Sequence, residues 1–155
     1  MVKRKNFLIL SFLFFFCSVI LLSEETRTVN YNGRKLSPKS GNFSVIGVKT
    51  EADEGDFLLI SVYLNDMIDT DSVQNRRIFV DGTPLPAVTQ FQFSKNRRQV
   101  QFKIKRQTKE EFSLRFVQFK SFDGRVIRQT QLSGLSSGTF FKFSRETREW
   151  QKSSL

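Results

Sequence analysis

Two alternating stretches in the middle of the chain constrain its fold more than any other feature. In the first, Phe91 and Phe93 alternate with glutamines, and in the second, residues 99–105, Val, Phe and Ile alternate with Gln and Lys. Polar residues 94–97 lie between them. Because side chains on a strand alternate between its two faces, a slip of one residue would expose every aromatic ring. The pattern therefore predicts a β-hairpin with one buried face.

The rest of the chain also has the pattern of short strands separated by turns. The continuous apolar run 57–64 predicts a central strand, and a second strand, 77–80, ends at the turn signal Asp81-Gly82. Residues 112–119 predict a further strand, in which a change of phase indicates either a bulge or burial on both faces. Strands at such spacing with turn signals between them are typical of a sandwich or barrel. We predict an all-β fold.

The N-terminus has the layout of an export signal. Three cations at residues 3–5 precede the apolar run 7–22, and polar residues follow from Ser23 onward. The run is shorter than the roughly 20 residues that span a bilayer. We predict a signal peptide over residues 1–23, with an uncleaved membrane anchor as the alternative. The protein is then exported to the periplasm or cell envelope, free or tethered to the inner membrane.

The composition narrows the chemistry of the exported part. The chain has no histidine, and its single cysteine, Cys17, lies within the apolar run. General acid–base catalysis would therefore fall to carboxylates or lysines. The pair Glu110-Glu111 does not serve, because neighbours on a strand point to opposite faces. We assign no catalytic residue and expect no cofactor, so the protein is predicted not to be an enzyme.

Two acidic segments form a candidate calcium site. Asp66, Asp69 and Asp71 cluster in one predicted loop, and a second acidic loop spans residues 51–56. Calcium prefers oxygen ligands, and the two loops would have to meet at one end of the sandwich to hold it. The alternative is a pair of solvated turns in which Asp69 or Asp71 accepts backbone hydrogen bonds.

Positive charge is concentrated in the middle of the chain. The net charge is +10, although three of the cations lie in the predicted signal. Alternation places Lys103 and Lys105 opposite the apolar face, so Arg97, Arg98, Lys103 and Lys105 are candidates for binding an anionic polymer or lipid head group. The alternative is that these side chains only make the protein soluble. Nucleic acid is not expected as a partner, because the aromatic residues alternate with the cations and face the core.

Part of the chain resembles a known family. A strand that ends in a polar turn is followed by Ser72-Val73, and then by a strand closed by Asp81-Gly82. This order resembles bacterial Ig-like domains of the S-layer-associated type, and the hairpin about residues 94–97 and a turn at 122–125 extend the resemblance to about residues 43–128. It implies an Ig-like β-sandwich used as a spacer or adhesion module, without catalytic residues.

The predicted organisation has four parts. The signal or anchor is followed by a linker, residues 24–41, and by a single Ig-like sandwich over residues 42–128. Residues 129–155 form an extension, with one added strand and a charged tail. Its patch at Phe140, Phe141 and Phe143, with Trp150, is interpreted as a terminal core strand, or alternatively as a docking surface.

These observations favour one function and leave a second open. The first is an exported, non-catalytic envelope protein, a structural or interaction module of bacterial Ig-like type whose partners are other envelope proteins. The alternative is a periplasmic or surface protein that binds an anionic envelope polymer or a lipid head group through its basic sheet face.

Overall fold

A computed structural model describes residues 29–31, 34–36 and 40–154 of the chain. The predicted signal or anchor, residues 1–23, lies outside the described residues. A hairpin, β1 (Val29–Tyr31) and β2 (Arg34–Leu36), forms within the segment that was predicted as a linker. The other ten strands form two antiparallel sheets.

The larger sheet has six strands, and the apolar run at residues 57–64 lies near its centre. In spatial order the strands are β12 (Trp150–Ser154), β11 (Thr139–Phe143), β3 (Val45–Ala52), β4 (Phe57–Leu64), β8 (Gln99–Lys105) and β7 (Gln92–Phe93). All neighbours are antiparallel. The strand predicted from the apolar run is therefore confirmed, and β4 begins and ends at the predicted residues.

The smaller sheet has four strands. In spatial order they are β10 (Thr130–Leu135), β9 (Phe112–Phe116), β5 (Ile78–Val80) and β6 (Thr83–Pro84). Asp81 and Gly82 make the turn between β5 and β6, both with positive φ (46° and 82°). This is the backbone that the Asp-Gly pair predicts for a two-residue hairpin.

The chain visits the two sheets alternately, two strands at a time. Buried side chains of both sheets form one apolar cluster, with Ile60, Val62 and Phe102 from the larger sheet and Leu114 and Phe116 from the smaller. The predicted all-β fold is confirmed as a β-sandwich.

The C-terminal residues belong to the sandwich and are not an appendage. Residues 129–155 were predicted to add one strand, but they supply three: β10 pairs with β9, and β11 lies between β3 and β12. Leu132, Leu135 and Phe141 are buried. β10 was not predicted, because a short Ser/Gly-rich strand with few apolar residues has only a weak hydrophobic alternation. Phe141 lies in the core, as the interpretation as a terminal core strand expects.

The strand predicted over residues 112–119 is shorter in the structure. It ends at Phe116, and Gln118 has a positive φ of 57°. This turn of the backbone reverses the phase, so that Phe119 is fully buried although it is out of register with Phe116. The change of phase in the sequence thus marks the end of the strand.

We expect the fold to need residues 129–143. A chain that ends at Arg128 loses β10 and β11 together with Leu132, Leu135 and Phe141, each of which contributes about 1.5–3 kcal/mol by burial. Such a chain should show no cooperative unfolding transition by circular dichroism.

A chain that ends at Ser144 provides the control. It loses only β12, in which Trp150 is partly buried and the other residues are exposed. We expect it to fold with a lower melting temperature. A cooperative transition in the chain ending at Arg128 would show that the last strands are dispensable.

Candidate binding cleft

A cleft of about 620 Å³ opens at one edge of the sandwich. It lies between the C-terminal half of β8 and the connection from β6 to β7, residues 85–91, and the first residues of β4 line one side. Phe102 and Ile104, which are buried, form part of its wall. The cleft therefore reaches from the surface to the apolar interior between the two sheets.

The cleft displays apolar side chains to solvent. Four large apolar side chains among the described residues are exposed, and two of them, Phe57 (44% exposed) and Val88 (86% exposed), line the cleft. Leu59, Pro84 and Pro86 add further apolar surface. Single exposed apolar residues are ordinary, but contiguous ones at a concave surface are typical of binding sites.

The course of the chain between β6 and β7 explains why the cleft is open. β7 has only two residues, which pair with Gln101 and Val100, so that it leaves the end of β8 uncovered. The chain before it bends away in a turn closed by a 3.0 Å hydrogen bond from the N–H of Thr89 to the carbonyl of Pro86. The Asn75 side chain donates to the same carbonyl and holds the turn in place. Residues 83–85 run along β5 of the smaller sheet, where the N–H of Leu85 donates to the carbonyl of Ile78 at 3.0 Å, so this part of the chain does not run along β8.

Amide and ammonium groups surround the apolar part. The side chains of Gln90, Gln92 and Gln101 line the cleft together with Lys103 and Lys105. Nε2 of Gln101 donates to Oγ of Ser61 at 2.9 Å. The polar lining thus contains amides and lysines together with the acidic residue Asp81, which suits a ligand with hydrogen-bonding groups.

The cation Lys103 is held by a carboxylate of its own chain. Its Nζ lies 2.5 Å from Oδ2 of Asp53, which stands in the turn between β3 and β4. The hydrogen bond from Lys103 lowers the pKa of Asp53 below its ordinary value, and the backbone N–H of Glu54 adds to this effect. The same contact raises the pKa of Lys103. Each group thus favours the charged form of the other.

The four predicted anion-binding residues do not form one surface. Lys103 and Lys105 are exposed at one end of β8, whereas Arg97 and Arg98 lie at the other end. Arg98 and Lys105 are about 23 Å apart along the strand, at ~3.3 Å per residue. The hairpin alternation itself is as predicted, with Val100, Phe102 and Ile104 buried on the opposite face.

The arginines at the far end are engaged within the chain. The guanidinium of Arg97 lies 5.8 Å from the ring centroid of Phe122, and Nη2 of Arg98 lies 3.8 Å from Oδ1 of Asp66. These contacts tie the hairpin turn to the 121–125 turn and to the loop after β4.

The candidate calcium ligands Asp66 and Asp69 make different contacts within the chain. Asp66 lies 2.6 Å from Nη2 of Arg125. Asp69 instead caps the turn at Thr70–Ser72, where its Oδ1 accepts from the N–H of Asp71 at 3.2 Å. Within the described part of the chain, no group of three or more His, Cys, Asp or Glu side chains lies close enough to hold a metal ion.

Arg125 joins three segments at this end of the sandwich. Its Nε lies 2.9 Å from Oδ1 of Asp123, its Nη2 binds Asp66, and its Nη1 donates to the carbonyl of Gly41 at 3.1 Å. The hydrogen bond to Asp123, supported by Asp66, raises the pKa of Arg125 above its ordinary value. The planar guanidinium explains the choice of arginine, since it serves several acceptors at once.

The cleft was not among the predicted sites. The sequence places Pro84 and Pro86 in an edge or loop, and Val88 follows them between Ala87 and Thr89. The only signal was this apolar residue in the loop after two prolines. Its meaning depends on the distance from residues 84–91 to β8, which the sequence does not specify.

Comparisons with models of protein families, with curated proteins and with solved structures find no match for this chain. The resemblance to Ig-like domains of the S-layer-associated type therefore stays a prediction. Among the described residues, no helix has the length and apolar character needed to cross a membrane.

We expect the ion pair between Lys103 and Asp53 to give a pH-dependent contribution to stability. The pKa of Asp53 is lowered by folding, so the contribution is present above the ordinary value of 3.8 and is lost as the pH falls through the folded pKa. Lys103→Gln should therefore lower the melting temperature at pH 7, and the difference from the parent should shrink as the pH falls below 3.8 and through the folded pKa of Asp53.

Lys105→Gln is the matched control, because Lys105 is exposed on the same strand face and forms no ion pair among the described residues. Its difference from the parent should stay constant between pH 3 and 7. A pH dependence equal to that of Lys103→Gln would contradict a specific pair.

We expect Arg125 to stabilise the fold. Arg125→Ala removes the guanidinium between Asp66 and Asp123 and should lower the free energy of unfolding by about 2 kcal/mol, measured by urea denaturation. Arg128→Ala, an exposed arginine of the same segment, should change it by less than about 0.5 kcal/mol. Equal effects of the two substitutions would show that the contacts of Arg125 add no stability.

Proposed function

We propose that this protein is an exported, non-catalytic interaction module of the cell envelope, which binds a partner through the cleft at the edge of the sandwich. The observation that carries the proposal is the open cleft itself, which is lined by the exposed Phe57 and Val88 as well as by the buried Phe102 and Ile104. Export is proposed from the charged and apolar pattern of residues 1–25.

The physical argument concerns the exposed apolar surface. Water contact with apolar area costs free energy, at roughly 25 cal/mol per Å², and a partner that covers the area recovers it. The other apolar side chains of this sandwich are largely inside, so the cleft is where a partner would gain most. Its amide and lysine rim supplies the polar contacts that give such a site orientation.

The alternative, binding of an anionic polymer through the basic sheet face, has less support. A polymer site needs several cations close together, so that successive phosphates or carboxylates are neutralised. Here the cations stand in two groups at opposite ends of β8, and Lys103 is neutralised by Asp53. The interaction module is therefore the function that the geometry favours.

Site-specific photo-crosslinking in the native host tests the proposal. A photoreactive residue at Val88 should give adducts of defined mass in the envelope fraction. The same residue at Val126, which is also an exposed valine (54% exposed) but lies outside the cleft, should not. Phe57→Ser should reduce the Val88 adducts at least tenfold, because it removes apolar contact area from the cleft.

Two results would overturn the proposal. The first is the absence of Val88 adducts, and the second is an equal yield from Val88 and Val126, since random collisions would label both. The mass of the purified protein tests export separately. A chain that begins at Glu24 supports a cleaved signal, and a full-length chain in the membrane fraction supports an anchor.

A further inference from the structure

The hydrogen bonds between β8 and β4 show which backbone groups of β8 face the cleft. The N–H of Leu64 donates to the carbonyl of Arg98 at 2.9 Å, and the N–H of Arg106 donates to the carbonyl of Asp56 at 2.8 Å. In an antiparallel pair, residues that exchange such bonds recur at every second position. The even-numbered residues of β8 therefore direct their backbone groups to β4, and the odd-numbered residues direct theirs to the opposite edge.

Lys103 and Lys105 consequently present backbone groups at the open edge. The short β7 covers the odd-numbered positions Gln99 and Gln101: Ser94 donates to the carbonyl of Gln99 at 3.1 Å, and Gln101 pairs with Gln92. Beyond them, the carbonyl of Lys105 accepts from Nε2 of Gln107 at 2.8 Å.

No hydrogen bond among the described residues engages the N–H or the carbonyl of Lys103, or the N–H of Lys105. A sheet edge with such groups is a template for another strand.

The edges of the smaller sheet are protected in ways that this edge is not. β6 carries Pro84, which has no backbone donor, and the register of β10 shifts between Leu132 and Leu135. Prolines and irregular register are the usual means by which edges resist strand addition. At Lys103 and Lys105 the edge is regular and lies beside an apolar cleft.

We propose that the cleft binds an extended segment of another protein, which adds as a strand to the open edge of β8 and whose residues alternate between apolar and acidic. The proposal rests on the proposed interaction function and specifies the chemistry of the partner. Only a polypeptide supplies donors and acceptors at the spacing that the free backbone groups of Lys103 and Lys105 require.

The sequence pattern of the partner follows from strand geometry. Residues opposite Lys103 and Lys105 would lie on the outer face. The ammonium of Lys105, which forms no ion pair among the described residues, favours an acidic side chain there, whereas the ammonium of Lys103 is already paired with Asp53. Residues opposite Phe102 and Ile104 would point toward the interior, where Leu85 and Val80 also line the cleft. Apolar side chains are favoured there, so the segment alternates with a period of two.

Charge argues against a second copy of this chain as the occupant. Two β8 edges paired antiparallel about Ile104 would place Lys103 of each copy opposite Lys105 of the other, and like charges in directly opposed positions are destabilising. The net charge of the whole chain is +10 and stays positive without the three cations of the predicted signal, which adds to the repulsion between copies.

The test titrates the purified protein with a synthetic heptapeptide of alternating valine and glutamate, followed by NMR. We expect the amide signals of Lys103 and Lys105 to shift and their hydrogen exchange to slow at least tenfold, because these N–H groups become hydrogen-bonded. The matching valine–lysine peptide should bind at least tenfold more weakly, since it places cations beside Lys103 and Lys105.

Two further peptides, N-methylated on the glutamates only or on the valines only, test for a strand. In a bound strand, only one set of alternate residues directs its N–H groups to β8. The peptide that is methylated on those residues should lose about tenfold or more in affinity, and the other peptide should keep its affinity. Equal affinities of the two would overturn strand addition.

Variants of the protein provide a second measurement. Lys103→Pro removes the outward N–H without breaking a bond to β4, so it should preserve the fold while it weakens peptide binding at least tenfold. Lys103→Gln keeps the N–H and should weaken binding only a few-fold. If the proline variant does not fold, the methylated peptides still decide the question.

Two outcomes distinguish a failure of strand addition from a failure of the proposed interaction function. Crosslinks from Val88 that persist without shifts at Lys103 and Lys105 in the peptide titration would overturn strand addition and leave the cleft as a binding site of another kind. A stable dimer of the protein in sedimentation, with Val88 crosslinked to a second copy of the chain, would overturn the proposal that the segment belongs to another protein.

Discussion

The structure depends on the burial of apolar side chains between two antiparallel sheets. The described residues contain no disulfide-forming cysteine, and the single cluster that includes Ile60, Phe102 and Phe116 holds the layers together. Each such side chain contributes about 1.5–3 kcal/mol by leaving water. Burial on one face also sets the strand register, because a slip of one residue would expose the whole apolar set. The position of every polar group on the outer faces follows from this register.

The cleft is a consequence of the same register at a place where the sheet is incomplete. β8 has seven residues, but β7 covers it over only two, since the chain before β7 pairs with β5 as far as Leu85 and then turns at residues 86–89, where Asn75 holds it. The end of β8 therefore keeps apolar side chains on one side and lysines on the other, and the N–H groups of Lys103 and Lys105 between them form no hydrogen bond within the described part of the chain. At the opposite end of the sandwich, Arg125 links three segments with charge-assisted hydrogen bonds, and the surface there is closed by contacts within the chain. Contacts within the chain thus cover the end of the sandwich at Arg125, whereas the end at the cleft is open.

The strands with strong patterns could be predicted from the sequence, and those with weak patterns could not. The run that became β4, the Asp81-Gly82 turn and the alternation of β8 each depend on local preferences and on one-sided burial, both of which are visible in a single stretch of chain. β10 and β12 escaped prediction because their few apolar residues are stabilised by neighbours distant in sequence. The same reason explains the candidate sites. Lys103 was placed on the correct face, but its carboxylate partner Asp53 is supplied by a different hairpin.

By itself the sequence determined the secondary structure class, the buried face of the central strands and the outward position of Lys103 and Lys105, because alternation with a period of two is a local property of the chain. It also determined the export pattern at residues 1–25, which predicts a compartment without reference to the fold. Only the tertiary structure decided that residues 129–154 complete both sheets, that the basic residues stand apart, and that a cleft opens beside β8. These features depend on which strands become neighbours, and that choice is made by the packing of the whole apolar cluster, not by any one segment.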